Sequence, residues 1–184
     1  MRRVNLLDRG RRGHAPRRGF TLIEAALATV IIGTGVLAMV FAQQTFHRQN
    51  DWAQRSAVAM RLAGEIRELA INLPRHDPVT GVEWWGPEGN EASLDDWDDV
   101  DDLDDAVFSA DIGNGPISAM RTTLTDLPGW SQRIEVVCVD PFDLSIELAD
   151  GASDMLRVRA IVLYQGPLDL QPEEITRLEW IQPR

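Results

Sequence analysis

The chain has no lysine; all 18 of its basic residues are arginines. Cysteine occurs once, at Cys138, so no disulfide can close within the chain. Set among Ile134, Val136, Val137 and Val139, that cysteine reads as a small core residue rather than a reactive thiol. The sequence also lacks the cysteine and histidine spacing of a zinc site, a Gly-x-Ser-x-Gly nucleophile elbow and a glycine-rich phosphate loop. Carboxylates are plentiful, but a glycosidase needs two of them in one cleft with separated pKa values, and abundance places none. No catalytic residue is assigned, and the chain reads as a non-enzyme.

Positive charge is confined as well as restricted in kind. Residues 1–19 hold seven arginines against Asp8, which is +6 of a formal total of −11 and leaves −17 for residues 20–184. Nucleic-acid phosphates would repel so acidic a body, which argues against DNA or RNA as a partner. With 184 residues there is room for one domain and an appendage.

Between the basic head and the acidic body, Phe20–Ala42 is apolar or small except for Thr21, Glu24, Thr29 and Thr34. Its length suits one bilayer crossing, which takes about 20 residues as a helix. The basic flank places the head in the cytoplasm. A secretory or twin-arginine signal would also carry Arg17-Arg18 and end near Val40-Phe41-Ala42. A signal has no use for an acid, however, and a carboxylate at mid-helix costs about 2.5–3.5 kcal/mol on insertion scales.

Gly19-Phe20-Thr21-Leu22-Ile23-Glu24, after a basic leader and before a long apolar run, closely resembles the cleavage and methylation motif of type IV prepilins and type II secretion pseudopilins. The resemblance implies that prepilin peptidase removes residues 1–19, cutting between Gly19 and Phe20, and that Phe20 is N-methylated. It implies that Glu24 serves assembly, by neutralising the Phe20 amine of a neighbouring subunit where an unpaired ion is strongly disfavoured. The implied partners are the peptidase, other pilin or pseudopilin subunits and the inner membrane. The implied location is single-pass in that membrane, amino terminus cytoplasmic and head periplasmic, and then a pilus or pseudopilus. The Asp-Asp-Val-Asp-Asp segment and the order of the later strands resemble MSHA-pilus MshD-type minor pilins. After such cleavage only His47 and His76 remain of the histidines.

Residues 20–42 are therefore expected to form the membrane and filament-core helix, and 43–73 an amphipathic stem. Trp52, Ser56, Ala59, Ala63, Ile66, Ala70 and Leu73 recur at three- and four-residue steps, and Pro74 ends the helix. As one helix, residues 20–73 would measure about 80 Å. The acidic head, 74–184, opens with a proline- and glycine-rich connection holding Trp84-Trp85, of which one is expected on the core or at a partner contact.

The stretch Leu94–Phe108 repeats aspartate pairs every third residue: Asp95, Asp96, Asp98, Asp99, Asp101, Asp102, Asp104 and Asp105. Two readings stand. The plainer is a solvated acidic loop with Trp97, Val100 and Leu103 tucked onto the body. The other is a calcium site, since hard oxygen ligands suit that ion, although no EF-hand frame fits. Arg121 and Arg133 are candidate compensating charges.

Alternation then marks strands at 131–140, 144–148, 155–164 and 173–181, divided by short breaks that favour antiparallel pairing. The expected fold is α+β and pilin-like, a long amino-terminal helix packed on an antiparallel sheet of about four strands. The expected function is a minor pilin or pseudopilin. The rivals are an exported or tethered acidic binding protein with an ordinary signal, and a calcium-dependent adhesin.

Overall fold

The computed structural model describes residues 19–77, 85–89 and 91–182. The leader up to Arg18, Trp84 and most of the proline- and glycine-rich connection lie outside the described residues. Helix α1 is Leu22–Ile71, 50 residues long. The chain divides into two compact units at Arg48/Gln49.

Among the described residues of the first unit the large apolar side chains are bare. Phe20, Leu22, Ile23, Ile31 and Phe41 are all exposed, and α1 is long and apolar enough to cross a membrane. The hydroxyls in this run are already spent on the helix. Thr21 Oγ1 accepts from the Glu24 amide at 3.3 Å, as an N-cap does, while Thr29 and Thr34 donate to the carbonyls of Ala25 and Ile31 at 2.9 and 3.0 Å.

The second unit has a core of its own. Ala59, Leu62, Ala63, Ile66, Leu69 and Ala70 are buried on the distal part of α1. The expected stripe is right at Ala59, Ala63, Ile66 and Ala70. The buried stripe is wider than that spacing predicts, because Leu62 and Leu69 belong to it, and it begins later, because Trp52 is exposed. The helix stops where Pro74 predicts, two residues inside the expected bounds at each end.

Four strands form one antiparallel meander in chain order: β1 Val107–Ser109, β2 Trp130–Val139, β3 Met155–Tyr164 and β4 Glu173–Gln182. The inner rows follow the register, as in Ile134 opposite Ala160 opposite Leu178, and Val136 opposite Val158 opposite Trp180. Cys138 is fully buried in this face, as its neighbours suggested. The other face carries an ion-pair row in which Arg159 meets Glu179 at 2.7 Å and Glu147 at 3.1 Å, and Arg157 also pairs with Glu147.

One expected strand is absent. Residues 144–148 alternate, but Leu144 and Ile146 are exposed and only Leu148 packs against the core, so the alternation does not make a core-facing strand. The segment makes one bridge, Val139 with Glu147, and stays a loop. The fourth strand is instead β1, three residues too short to show a period.

Gln132 ties the layers together. It is fully buried on the inner face of β2. Its Oε1 accepts from the Ile117 amide at 2.7 Å, and its Nε2 donates to the carbonyls of Leu62 and Ile117 at 2.9 and 3.1 Å. Gly129 leads into β2 at φ 75°, where a Cβ would stand 2.2 Å from the Gln165 carbonyl oxygen, so only glycine fits that corner.

Candidate assembly helix and acidic cluster

Two features have chemistry to offer, one in each unit. The first is the start of α1. Gly19 and Phe20 precede the helix, exposed, and a Cβ built on Gly19 meets nothing within 4 Å. Thr21, Thr29 and Thr34 each take part in a hydrogen bond within their own chain segment. The Glu24 carboxylate does not: among the described residues no hydrogen bond or ion pair reaches it. Only the Thr21 half of a Thr-x-x-Glu capping box is formed. Glu24 does sit in the first turn, where the helix dipole favours a negative charge by a few tenths of a kcal/mol to about 1 kcal/mol.

The second feature is the aspartate stretch. Its spacers behave as expected: Val100, Leu103 and Ala106 are buried and Trp97 packs against the core. Their three-residue step matches the 3₁₀ turn found at Asp101–Leu103. The carboxylates, however, do not form a uniformly solvated loop. Asp95, Asp96, Asp98 and Asp105 are exposed and Asp104 is half-buried, while Asp99, Asp101 and Asp102 are 2%, 1% and 1% exposed. Anchoring Val100 and Leu103 in the core draws their neighbours in with them.

Several of these side chains replace missing backbone partners. Asp102 Oδ2 accepts from the amides of Asp98 and Asp99 at 2.9 and 3.2 Å, and Asp99 Oδ1 accepts from the Asp102 amide at 3.1 Å. Asp96 caps Ser93 through its amide and hydroxyl at 3.0 and 2.8 Å. Asp104 accepts from the Trp85 indole at 3.0 Å and from the Val136 amide of β2 at 2.8 Å. Trp85 is thus a tryptophan on the core.

Compensating arginines are missing from this list. Arg121 does reach the stretch, but its guanidinium donates to the carbonyls of Leu94, Asp95 and Trp97 at 2.9, 2.8 and 2.6 Å, not to carboxylates. Arg133 pairs with Glu135. Among the described residues the one basic side chain paired with a buried aspartate is His76, whose Nδ1 lies 3.5 Å from Asp101 Oδ2 and whose burial favours its neutral form.

The carboxylates instead converge on one another. Glu88, Glu91 and Asp102 bring oxygens within 4.8 Å, and so do Asp98, Asp99 and Asp102. Glu91 is buried and accepts from the Glu88 amide at 2.9 Å. Of the expected eight, Asp98, Asp99 and Asp102 fall in these groups. Asp95, Asp96, Asp101, Asp104 and Asp105 are in neither group, and Glu88 and Glu91 enter from the preceding loop. Their signal was weak, two glutamates three apart in a proline- and glycine-rich stretch.

Burial without counter-charge raises these groups. Desolvation pushes Asp99 up to about 9, Glu91 to about 7 and Asp101 to about 6, and raises Asp102 as well. Like charges add to the rise, Asp101 and Asp102 at Asp99, and Asp102 and Glu88 at Glu91. Desolvation, then Arg75, lowers His76, against the pull of Asp99 and Asp154. A raised carboxyl stabilises the fold below its unfolded pKa, and that contribution is lost as pH climbs through the folded value. His76 acts oppositely, losing its contribution as pH falls below its ordinary value of 6.5. In metal-free buffer with chelator, melting temperature should fall between pH 6.5 and pH 9.5 by roughly 5 °C, about 2 kcal/mol for a chain of this size. Circular dichroism melts check this, and a flat or rising profile contradicts it.

Comparison of the chain with protein-family models, with curated proteins and with solved structures finds no match in any of the three.

Proposed function

We propose that this protein is a minor pilin or pseudopilin, a structural subunit of a type IV pilus or type II secretion pseudopilus. Its chemistry is self-association, and it is the substrate of prepilin peptidase rather than a catalyst. The observation that carries the reading is the Glu24 carboxylate. It stands in an exposed apolar run whose threonine hydroxyls all find partners within the helix, and it alone does not. A cleaved, N-methylated Phe20 on a neighbouring subunit supplies the missing positive charge, and their pairing fixes one subunit's axial position against the next.

The layout supports the same reading. One helix carries both a bare apolar segment and, further on, the buried stripe that packs on an antiparallel sheet. Before assembly the apolar segment lies in the inner membrane, with the arginine-rich end cytoplasmic and the head periplasmic. The rival is an exported acidic binding protein made with an ordinary signal, which would lose the run altogether.

Mass spectrometry of the mature amino terminus separates them. The expected result is N-methyl-Phe20 at the start of the chain. A mature chain beginning at Gln43, or an uncut chain beginning at Met1, overturns the proposal.

A further inference from the structure

Three large aliphatic side chains stand in solvent on two loops of the head. Leu168 is 96% exposed, Leu170 98% and Ile112 67%. Single exposed aliphatics are ordinary on a protein surface, but a group of them on adjoining loops marks a contact site. The loops do adjoin, since Asp111 lines one cavity with Pro167 and Asp169. The connection from β3 to β4 is also fixed in shape. The Asp169 amide donates to the Gly166 carbonyl at 3.0 Å, its Oδ2 accepts from the Gly166 amide at 2.9 Å, and its carbonyl accepts from the Gln165 side chain at 3.0 Å. The Asp169 carboxylate is thereby turned back onto its own loop, and the leucines on either side of it are left outside.

The path of α1 places these loops within the second unit. Arg55 lies 4.6 Å over the Tyr164 ring, the Leu62 carbonyl accepts from Gln132, and the Ala70 carbonyl accepts from Gln182. The helix therefore enters this unit at the end of the sheet where β3 finishes and Leu168 follows. It runs toward the end where β4 finishes. The unit begins at Gln49, seven residues after Ala42, the last of the apolar run. Even fully extended, seven residues hold that entry within about 25 Å of the run.

We propose that this end of the head rests on the membrane before assembly, with Leu168 and Leu170 set among the lipid headgroups and Ile112 beside them. The inference rests on the proposed membrane anchoring of residues 20–42 and adds a second, shallow contact to it. A lipid surface is the occupant that the tether brings within reach of every copy. Asp111 and Asp169 make the surrounding surface acidic, so the attraction is apolar, and a zwitterionic bilayer suits it better than an anionic one. Phe142 is as exposed as the leucines, at 98%, but follows β2 at the opposite end of the sheet. It supplies the control.

The test uses the full chain reconstituted in phosphatidylcholine vesicles, with one environment-sensitive fluorophore on Leu168→Cys, Phe142→Cys or Ile31→Cys. Cys138 is fully buried and stays unlabelled. Nitroxide lipid is expected to quench the Leu168→Cys label roughly threefold or more above the Phe142→Cys label, and to quench Ile31→Cys in the middle of the apolar run. Adding Leu170→Asp, at a position with no packing to lose, should reduce quenching at Leu168→Cys by about twofold or more. Exchanging part of the lipid for phosphatidylglycerol should not strengthen it. Equal quenching at 168 and 142, no effect of Leu170→Asp, or a gain with the anionic lipid overturns the contact. So does a quenched Ile31→Cys beside an unquenched Leu168→Cys, a result that leaves the anchor standing. An unquenched Ile31→Cys overturns the anchor and the contact together.

Discussion

Gly19→Val is expected to leave the whole population of the protein as uncut precursor in the inner membrane, with no mature form in sheared filaments. On the proposed function, prepilin peptidase must bring its catalytic groups up to the backbone on the carbonyl side of Gly19, and a branched side chain blocks that approach. Among the described residues nothing opposes the substitution, since a Cβ at Gly19 meets nothing within 4 Å and the helix begins three residues later. A loss of processing can then be assigned to the enzyme's access and not to misfolding. Gly19→Ala, with a single methyl group, should be cut at a reduced rate. Immunoblots of membrane and filament fractions, read by the mobility shift that loss of 19 residues produces, make the measurement. Normal maturation of Gly19→Val would remove the basis for treating this stretch as a peptidase site.

The second large effect belongs to the head. Gln132→Leu should destabilise it by about 3–5 kcal/mol, lowering the melting temperature by roughly 10 °C or more. The volume is nearly conserved, so packing contributes little. What is lost is the reach of one side chain to two elements: the Leu62 carbonyl on α1, and both backbone groups of Ile117. The helix carbonyl keeps its own intrahelical donor. The Ile117 amide and carbonyl do not recover so easily, because Ile117 is fully buried and the neighbouring bonds run from Ser118 to Thr122 and from Leu124 to Pro116. Two buried backbone groups are left bare at about 1–3 kcal/mol each. A denaturant melt showing less than 1 kcal/mol of destabilisation would mean that the 116–118 segment simply moves to water.

The helix was legible in the sequence because its signals are local and repeated. Ala59, Ala63, Ile66 and Ala70 announce one face at the helical period, and Pro74 announces the end. The strands β2 to β4 were legible for the same reason. Residues 144–148 misled because alternation describes only a strand's own two faces and says nothing of whether a core stands opposite. Gln132 left no trace in the sequence, since a glutamine between Ser131 and Arg133 reads as surface until Leu62 and Ile117 are brought against it from 70 and 15 residues away. The acidic cluster was half legible. The three-residue step showed that Val100 and Leu103 would turn inward, but which aspartates follow them depends on the turn they adopt. Glu88 and Glu91 arrive from another loop, and only tertiary contact joins them to Asp102.

The short β1 has a consequence for how the head can meet other chains. It covers β2 only at Ser131–Arg133, which would ordinarily expose the rest of a ten-residue strand as a template for main-chain pairing. Here the remaining positions are taken one after another by other groups. The Ala106 carbonyl accepts from Ile134 and the Asp104 carboxylate from Val136, while the Leu148 amide donates to Cys138 and the Ile146 carbonyl accepts from Asp140. A side chain and an irregular loop thus finish a hydrogen-bond ladder that no full strand completes. Strand invasion by a foreign peptide, or by another copy, is foreclosed along this border of the sheet. β-augmentation of the head is left only the opposite border, at β4.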